Sequence, residues 1–345
     1  MQILLLGGGS LGHTAPAVAV GHAIRKIAPG TQLHMICSPR EDEAEFLRAE
    51  MIPFSTIKIP RRGILLPFQF VRSYKEASKI IETFQPDVVF SKGGGLSLPV
   101  CAAAWSKKIP IVLHESDARA GYASRLIARI AKKVCVGFPS TDLRNGIFTG
   151  NPVRSSIAHG SREEGLRYTG LSGEKPILLI SGGSQGAQSF NDVIRDQLDE
   201  LLSICDIIHL TGRGKQTAAG KKSGYFAQEF ALQALPHFYA CATLALSRGG
   251  AGSISELAAN GIPTIVVPLE GVAQNHQTEN ARQAEATGGV TLLNQSELQS
   301  NILSTVRSLL ADPQKLREMS QKIRTLSLPD AAENIARIVL AEGEM

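Results

Sequence analysis

The passage Ser91-Lys92-Gly93-Gly94, an alanine-rich stretch and Ile109-Pro110-Ile111-Val112 returns about 156 residues later as Ser247-Arg248-Gly249-Gly250 and Ile262-Pro263-Thr264-Ile265. Each copy reads as an apolar strand, a glycine turn, a helix, an Ile-Pro step and a second apolar strand. Short apolar runs separated by helical patterns are what a parallel sheet needs, because every crossover must carry the chain back along the sheet face. A repeat at this spacing is one domain long. It predicts two Rossmann-like α/β domains in tandem.

The same rhythm extends outward from both copies. Residues 2–6 read as a strand, 7–12 as a glycine turn, 14–27 as a helix and 31–37 as the next strand. The pattern restarts with a strand at 177–180, a turn at 181–186 and a helix from about Ala187. Gly150-Asn151-Pro152 marks a turn, which places a linker near 151–160. The expected domains are 1–156 and 157–330, with a final helix at 331–345 that could pack back on the first domain. In open α/β sheets ligands bind beyond the carboxyl ends of the strands, so a cleft between two facing domains is the expected site.

Bulk properties narrow the function. A chain of 345 residues suits two domains of roughly 100–200 residues, and 43% hydrophobic with 19% charged residues is ordinary globular composition. No stretch approaches the roughly 20 apolar residues of a spanning helix. The run Ile3-Leu4-Leu5-Leu6 ends in glycines and reads as a strand instead of a leader. Five scattered cysteines, none in a C-x-x-C pair, argue against a zinc site or disulfide framework and for a reducing, cytoplasmic compartment. The net charge of +5 is uneven: residues 1–156 carry +9 and the remainder −4. A basic N-terminal half expects an anionic partner, either phosphates or acidic lipid headgroups. With aromatics at 5% and no nucleic-acid signature, nucleic acid is not expected as a partner.

Three glycine turns carry the chemistry. Gly7-x-Gly9-x-x-Gly12 matches the dinucleotide fingerprint in letters, yet the following strand ends in Cys37-Ser38-Pro39-Arg40, without the acidic residue that would hold a ribose. His13 directly after the turn is also foreign to a nicotinamide site. The turn is better read as a backbone-amide cradle for phosphate at a helix N-terminus. Ser181-Gly182-Gly183-Ser184-Gln185-Gly186 repeats this logic with a hydroxyl donor, and 247–252 is the third turn, with a helix starting at about Ser253. Ser253 and Glu256 have capping-box spacing, and the same carboxylate could accept from a ribose diol. Gln274-Asn275-His276-Gln277 places amides on a loop that follows a strand, either as a polar surface or as a sugar contact.

Together these segments resemble the MurG family of glycosyltransferases. The carrying residues are Gly8 to His13 with Pro16-Ala17, His114-Glu115, Thr149 to Arg154, Gly182 to Ala187, Ser247 to Glu256, and His276-Gln277 with Asn280-Ala281. The likeness covers nearly the whole chain in order. It implies the GT-B fold, two Rossmann-like domains facing a cleft, and an inverting hexosyl transfer. The donor would be UDP-N-acetylglucosamine and the acceptor undecaprenyl-pyrophosphoryl-N-acetylmuramyl-pentapeptide, so the product is lipid II of peptidoglycan synthesis. Residue by residue, the resemblance puts Ser10, Leu11 and Gly12 in the glycine loop and Arg154 and Ser184 on the donor diphosphate. Leu232 would offer its backbone to uracil. Ala251, Gly252, Ser253, Ile254, Ser255 and Glu256 would cradle phosphate and ribose, and Gln277 the sugar hydroxyls. Two departures stand out: Leu11 replaces a family glycine, and the family's His-Glu-Gln-Asn is here His114-Glu115-Ser116-Asp117, so Asp117 adds a carboxylate beside an anionic ligand.

For the chemistry, imidazole is the side chain that ordinarily changes charge near neutral pH, which makes His13 the first choice of base and Glu115 the reserve. A helix N-terminus and arginine would stabilise departing UDP, and with no convincing Asp-x-Asp loop a divalent cation is not expected to be obligatory. Other readings are a UDP-sugar 2-epimerase, a glycolipid synthase acting on another lipid, a nicotinamide dehydrogenase and a non-catalytic sugar-nucleotide binder. Finally, Lys58, Arg61, Arg62, Arg72 and Lys75 surround Ile64, Leu65, Leu66, Phe68, Phe70 and Val71 with no acidic residue between 58 and 75. Pro60, Gly63 and Pro67 are expected to keep this stretch short and irregular. Trp105, Lys107 and Lys108 would extend it. The expectation is peripheral attachment to an anionic cytoplasmic leaflet.

Overall fold

The structure is a computed structural model that describes all residues except 61, 62, 64, 216–221, 270–274 and 345. Arg61, Arg62, Ile64 and Gln274 therefore lie outside the described residues. The chain forms two compact units, Met1–Arg154 with Leu328–Met345, and Ser155–Ser327.

Unit 1 alternates strand and helix: β1 (Gln2–Leu6), α1 (Leu11–Ile27), β2 (Gln32–Cys37), α2 (Glu41–Ala49), β3 (Phe54–Thr56), α3 (Leu66–Phe84), β4 (Val88–Ser91), α4 (Gly94–Ser106), β5 (Ile111–Glu115), α5 (Tyr122–Ile127), β6 (Lys133–Val136) and β7 (Gly146–Phe148). All pairings are parallel, in the order β3-β2-β1-β4-β5-β6-β7. The order reverses between β1 and β4, which is the switch point where doubly wound sheets bind ligands. Leu4, Leu6, Val89 and Leu113 are fully buried on one sheet face with Ala77, Ile81, Val100 and Ala104 of α3 and α4. Gly21 lets α1 approach the sheet, since a Cβ there would stand 2.9 Å from Leu5 Cδ1.

Unit 2 repeats the plan: α6 (Arg162–Thr169), β8 (Ile177–Ser181), α7 (Gln188–Asp196), α8 (Leu198–Leu202), β9 (Asp206–Leu210), β10 (Tyr225–Gln228), α9 (Leu235–Cys241), β11 (Leu244–Ser247), α10 (Ala251–Asn260), β12 (Thr264–Val266), α11 (His276–Glu285), β13 (Val290–Leu292), α12 (Leu298–Leu310) and α13 (Pro313–Arg324). Its parallel sheet runs β10-β9-β8-β11-β12-β13, with the switch point between β8 and β11. The two passages that decide the fold are thus β4-α4-β5 and β11-α10-β12, in equivalent places of the two sheets. The last helix, α14 (Ala331–Gly343), belongs to unit 1, where Glu333 pairs with Lys26 of α1 at 2.6 Å and the buried Glu342 faces Lys133 at 3.6 Å.

Three local expectations need correction. α1 begins at Leu11, ahead of the expected residue 14, because glycine at the second helical position is harmless where amides lack intrahelical partners anyway. α10 begins at Ala251 with Gly250 as its cap. Ser253 therefore lies inside the first turn, and Ser253 with Glu256 is not a capping box. The irregular stretch expected around Pro67 is instead the start of a 19-residue helix, α3, because proline in a first turn loses no hydrogen bond.

Candidate functional site

In unit 1 the chain leaves β1 through Gly7-Gly8-Gly9-Ser10. A Cβ at Gly8 would stand 2.8 Å from the Ser38 amide nitrogen, and Gly9 has φ +95°, so both positions need glycine. Ser10 caps α1 from extended backbone, and its carbonyl accepts from the His13 amide at 3.1 Å. Leu11 turns into the core at 7% exposure, so its bulk lies under the turn instead of over it, and Gly12 stays exposed. Glu43, fully buried in α2, accepts from the Ser38 amide and hydroxyl at 2.9 and 2.8 Å and from the Gly9 backbone. A protein carboxylate thus already answers one amide of the glycine turn. An anion here would meet the first-turn amides of α1 and the positive end of its dipole.

His13 is half-buried, and its Nδ1 lies 3.3 Å from the Lys92 carbonyl oxygen. A carbonyl can only accept, so this bond puts the proton on Nδ1 and leaves the Nε2 lone pair open. The contact crosses the switch point, joining the turn after β1 to the turn after β4.

Lys92 itself is 2% exposed, and its Nζ donates to Ser116 Oγ at 2.6 Å and to His114 Nδ1. His114 Nε2 sits 2.9 Å from the Gly150 carbonyl, so that nitrogen donates and Nδ1 is left to accept from the lysine. Burial pulls the Lys92 ammonium down to about 7, against Glu115, Asp117 and Cys135, which favour its charge. Burial, followed by the Lys92 charge, holds the His114 imidazolium well below its ordinary range. Glu115, the reserve base, is buried with both carboxylate oxygens engaged. Oε1 accepts from the Asp117 amide at 3.0 Å and Oε2 from the Gly121 amide at 3.2 Å. It works as a clamp on the 116–121 loop. Asp117 is half-buried in that loop, and its carbonyl accepts from the Thr141 hydroxyl at 3.0 Å.

In unit 2, Ser184 lies in a turn closed by the Gly186 amide on the Gly183 carbonyl at 2.9 Å. Gly186 has φ +64° and its Cβ would stand 2.1 Å from the Thr211 carbonyl oxygen, so this turn tolerates no side chain there. α10 offers the amides of Ala251, Gly252 and Ser253 at its positive end. Ile254 and Ser255 contribute differently from what the sequence led one to expect: both are buried, the Ile254 amide bonds Gly250 O at 3.0 Å, and the Ser255 hydroxyl bonds Ala251 O at 2.8 Å. A hollow lined by Ser181, Ser247, Ser253 and Tyr239 opens at the carboxyl ends of β8 and β11. Beside it, Tyr239 Oη donates to Glu256 Oε2 at 2.8 Å and fixes the half-buried carboxylate.

The remaining residues fall in more occupied surroundings. Arg154, 8% exposed, pairs with Glu50 at 2.5 Å and lies 4.9 Å from the Phe46 ring centroid. The guanidinium that the resemblance assigns to a diphosphate is engaged within its own unit. Arg248 bonds Val267 O at 3.0 Å, Gln295 Oε1 at 2.6 Å and Ser189 Oγ at 2.7 Å, which makes it an internal tie. Burial lowers its guanidinium to about 10. Gln277 Oε1 accepts from the Leu269 amide at 2.9 Å, and Leu232 is half-buried between β10 and α9. Sequence reasoning missed Lys92, Glu43 and Tyr239 as parts of these arrangements. Lys92 stood inside the decisive repeat, where a cation before two glycines was the signal; the other two carry none.

Comparison with known proteins matches residues 3–136 to the glycosyltransferase family 28 N-terminal domain and residues 177–335 to the family 28 C-terminal domain. A relative from Lachnoclostridium phytofermentans, named UDP-N-acetylglucosamine--N-acetylmuramyl-(pentapeptide) pyrophosphoryl-undecaprenol N-acetylglucosamine transferase, is 34% identical over 351 residues, covering 98% of each chain. One of the same name from Legionella pneumophila (strain Lens) is 34% identical, with 100% of this chain and 98% of the relative covered. The crystal structure of Acinetobacter baumannii MurG superposes with a TM-score of 0.74 at 26% identity and 99% coverage of both chains. UDP-GlcNAc 2-epimerase from Neisseria meningitidis, at 16% identity and a TM-score of 0.70, shares the fold. With both family 28 domains in order and relatives this similar from end to end, the chain is a GT-B glycosyltransferase and belongs to the MurG family.

Proposed function

We propose that this enzyme transfers N-acetylglucosamine from its UDP donor to undecaprenyl-pyrophosphoryl-N-acetylmuramyl-pentapeptide, with inversion, forming lipid II in peptidoglycan synthesis. The observation that carries the reading is the 34% identity to transferases of that name over 98% of both chains. An acceptor hydroxyl oxygen bonds to the anomeric carbon from the face opposite UDP. The C–O bond to UDP breaks, UDP departs with the electron pair, and the hydroxyl proton goes to His13 Nε2. The α10 first turn (Ala251, Gly252, Ser253) and the Ser184 turn meet the donor diphosphate. Glu256, held by Tyr239, takes the ribose, Gln277 the sugar and the Leu232 backbone the uracil. Ser10, Leu11 and Gly12 with the Asp117 loop serve the acceptor side. Charge on leaving UDP is met by helix amides, so a divalent cation is not obligatory.

Among the described residues no helix is long and apolar enough to cross a membrane. The lipid-linked acceptor is instead reached by peripheral attachment to the cytoplasmic leaflet. Leu65, Leu66, Phe68 and Val71 at the start of α3 are 61%, 40%, 75% and 51% exposed, with Lys58, Arg72 and Lys75 beside them in sequence. Trp105, at the end of α4, is 60% exposed. Apolar side chains flanked by cations fit an anionic headgroup layer.

The test is an acceptor panel with labelled UDP-N-acetylglucosamine, run with and without chelator. Labelled product with the muramyl-pentapeptide lipid alone, undiminished by chelation, is expected. Product on diacylglycerol would make the enzyme a glycolipid synthase, and conversion of the donor without acceptor would make it epimerase-like.

A further inference from the structure

Two turns of unit 2 touch backbone to backbone, one after β8 and one after β9. Gly186 in the first has φ +64° and Gly212 in the second has φ +96°. A Cβ on Gly212 would stand 2.5 Å from the Gly186 Cα and 2.6 Å from the Gln185 carbonyl oxygen, so this approach requires glycine. The β9 turn is itself fixed. Its Thr211 carbonyl accepts from Asn191 Nδ2 at 3.1 Å, and Asn191 Oδ1 accepts from the buried His209 at 3.1 Å. The Thr211 and Gly212 amides donate to the Gln228 and Glu229 carbonyls at 3.0 and 2.8 Å. From this anchored turn the half-buried Lys215 reaches back to the Ser184 turn, where its Nζ donates to the Gln185 carbonyl at 2.8 Å and to the Gly186 carbonyl at 3.3 Å. Other charged side chains nearby have contacts of their own. Glu229 Oε2 accepts from the Gly214 amide at 2.9 Å, the Arg213 guanidinium lies 5.1 Å from the Phe230 ring centroid, and Arg248 donates to Ser189 Oγ of α7 at 2.7 Å.

We propose that Lys215 is a positioning residue for the donor diphosphate, a cation that holds the Gln185 and Gly186 carbonyls so that the Ser184 turn and the head of α7 present their amides to the phosphates. The inference rests on the donor site proposed above and adds a charged residue to it. A trans peptide points its C=O and N–H in opposite directions. An ammonium on the Gly186 carbonyl therefore turns the Ala187 amide, at the head of α7, away from the lysine. It also polarises that peptide group in the sense that favours an anion on the amide side. The first turn of α7 carries no acidic residue and no side-chain cap, so no carboxylate of its own opposes a phosphate there. Arg248 cannot take this part, because its guanidinium is spent on Val267 O, Gln295 Oε1 and Ser189 Oγ.

The test measures UDP and uridine binding by calorimetry on the full-length wild type, Lys215→Met and Lys215→Arg, at low and high salt. Lys215→Met should weaken UDP roughly tenfold, the scale of a hydrogen bond to a charged group, and leave uridine, which has no phosphate, within about twofold. Lys215→Arg keeps the charge and should keep UDP affinity within about twofold of wild type. The gap between wild type and Lys215→Met should narrow at high salt, which a purely structural brace would not produce. In turnover, Lys215→Met should raise the donor KM and leave the acceptor KM unchanged. Calorimetry needs no transfer, so a wild type that binds UDP without transferring sugar would count against the reaction and not against Lys215. A wild type that binds no UDP would overturn the donor site and the inference together. Wild-type UDP affinity in Lys215→Met, an equal loss for UDP and uridine, or a Lys215→Arg as impaired as Lys215→Met would overturn the inference alone.

Discussion

His13 donates through Nδ1 to the Lys92 carbonyl, which leaves Nε2 as the atom able to take a proton. General-base catalysis ordinarily contributes about 10²–10⁴-fold, so His13→Ala should lower kcat within that range while UDP binding, proposed above for residues of the other unit, is expected to be unchanged. Near-normal turnover in a folded variant would remove His13 from the chemistry. Glu256 makes the complementary prediction. Its carboxylate is oriented by Tyr239 at 2.8 Å, and the capping role expected for it is absent because α10 starts at Ala251. Glu256→Ala should raise the donor KM at least fivefold with little loss of stability, and Tyr239→Phe should move it less in the same direction. An unchanged donor KM would leave Glu256 without a ribose role. A third residue ties folding to pH. His209, fully buried, donates from Nε2 to Asn191 Oδ1 at 3.1 Å and accepts at Nδ1 from Tyr225 Oη at 3.0 Å. Burial lowers its imidazolium to about 4, so between 6.5 and 4 the unfolded chain binds the extra proton. Stability from this residue is present above pH 6.5 and is lost as pH falls towards 4, on the order of 3 kcal/mol. Urea unfolding at pH 7 and 4.5 should show it, with a smaller difference in His209→Gln. Equal stability of wild type at both would contradict the assignment.

At the scale of elements, strands were legible and helix starts were not. Apolar runs such as Ile3–Leu6 and 111–113 read as strands in a chain of this rhythm, because they are too short for buried helices, and the first ends in glycine. Helix starts depend on which of several small residues caps, and 10–12 and 250–253 offer competing candidates. Of the three helix breakers, Pro60 and Gly63 precede α3, and Pro67 falls in its first turn, where proline is harmless. The helix makes the membrane proposal sharper. Ser73, Ala77 and Ile81 recur at four-residue spacing on the buried side, and Ser73 Oγ anchors the approach by donating to Lys58 O at 2.9 Å. Leu66 and Phe68 are left outside. Vesicles with anionic lipid should co-sediment the enzyme at low salt, with binding lost in neutral lipid, at high salt and in Leu66→Glu/Phe68→Glu. Equal binding to both lipids, or a double variant that sediments normally, would reject the patch.

At the scale of the whole molecule, the repeat separated by about 156 residues correctly implied two doubly wound sheets, since β4-α4-β5 and β11-α10-β12 occupy equivalent places. The glycine turns were legible for the same reason, because close backbone approach leaves a mark in residue identity. What the sequence hid is how side chains pair inside each unit. Arg154 with Glu50 is separated by 104 positions and Glu256 with Tyr239 by 17, and no local pattern announces either. The most direct test of the central claim is the structure of the product: its mass and the anomeric configuration of the new bond by NMR, after incubation with the α-linked UDP sugar and the pyrophosphoryl-muramyl lipid. Inverting transfer predicts one added N-acetylhexosamine per lipid in β linkage, with one UDP released for each. A retained α linkage, free N-acetylglucosamine, or a UDP sugar altered without transfer would contradict it.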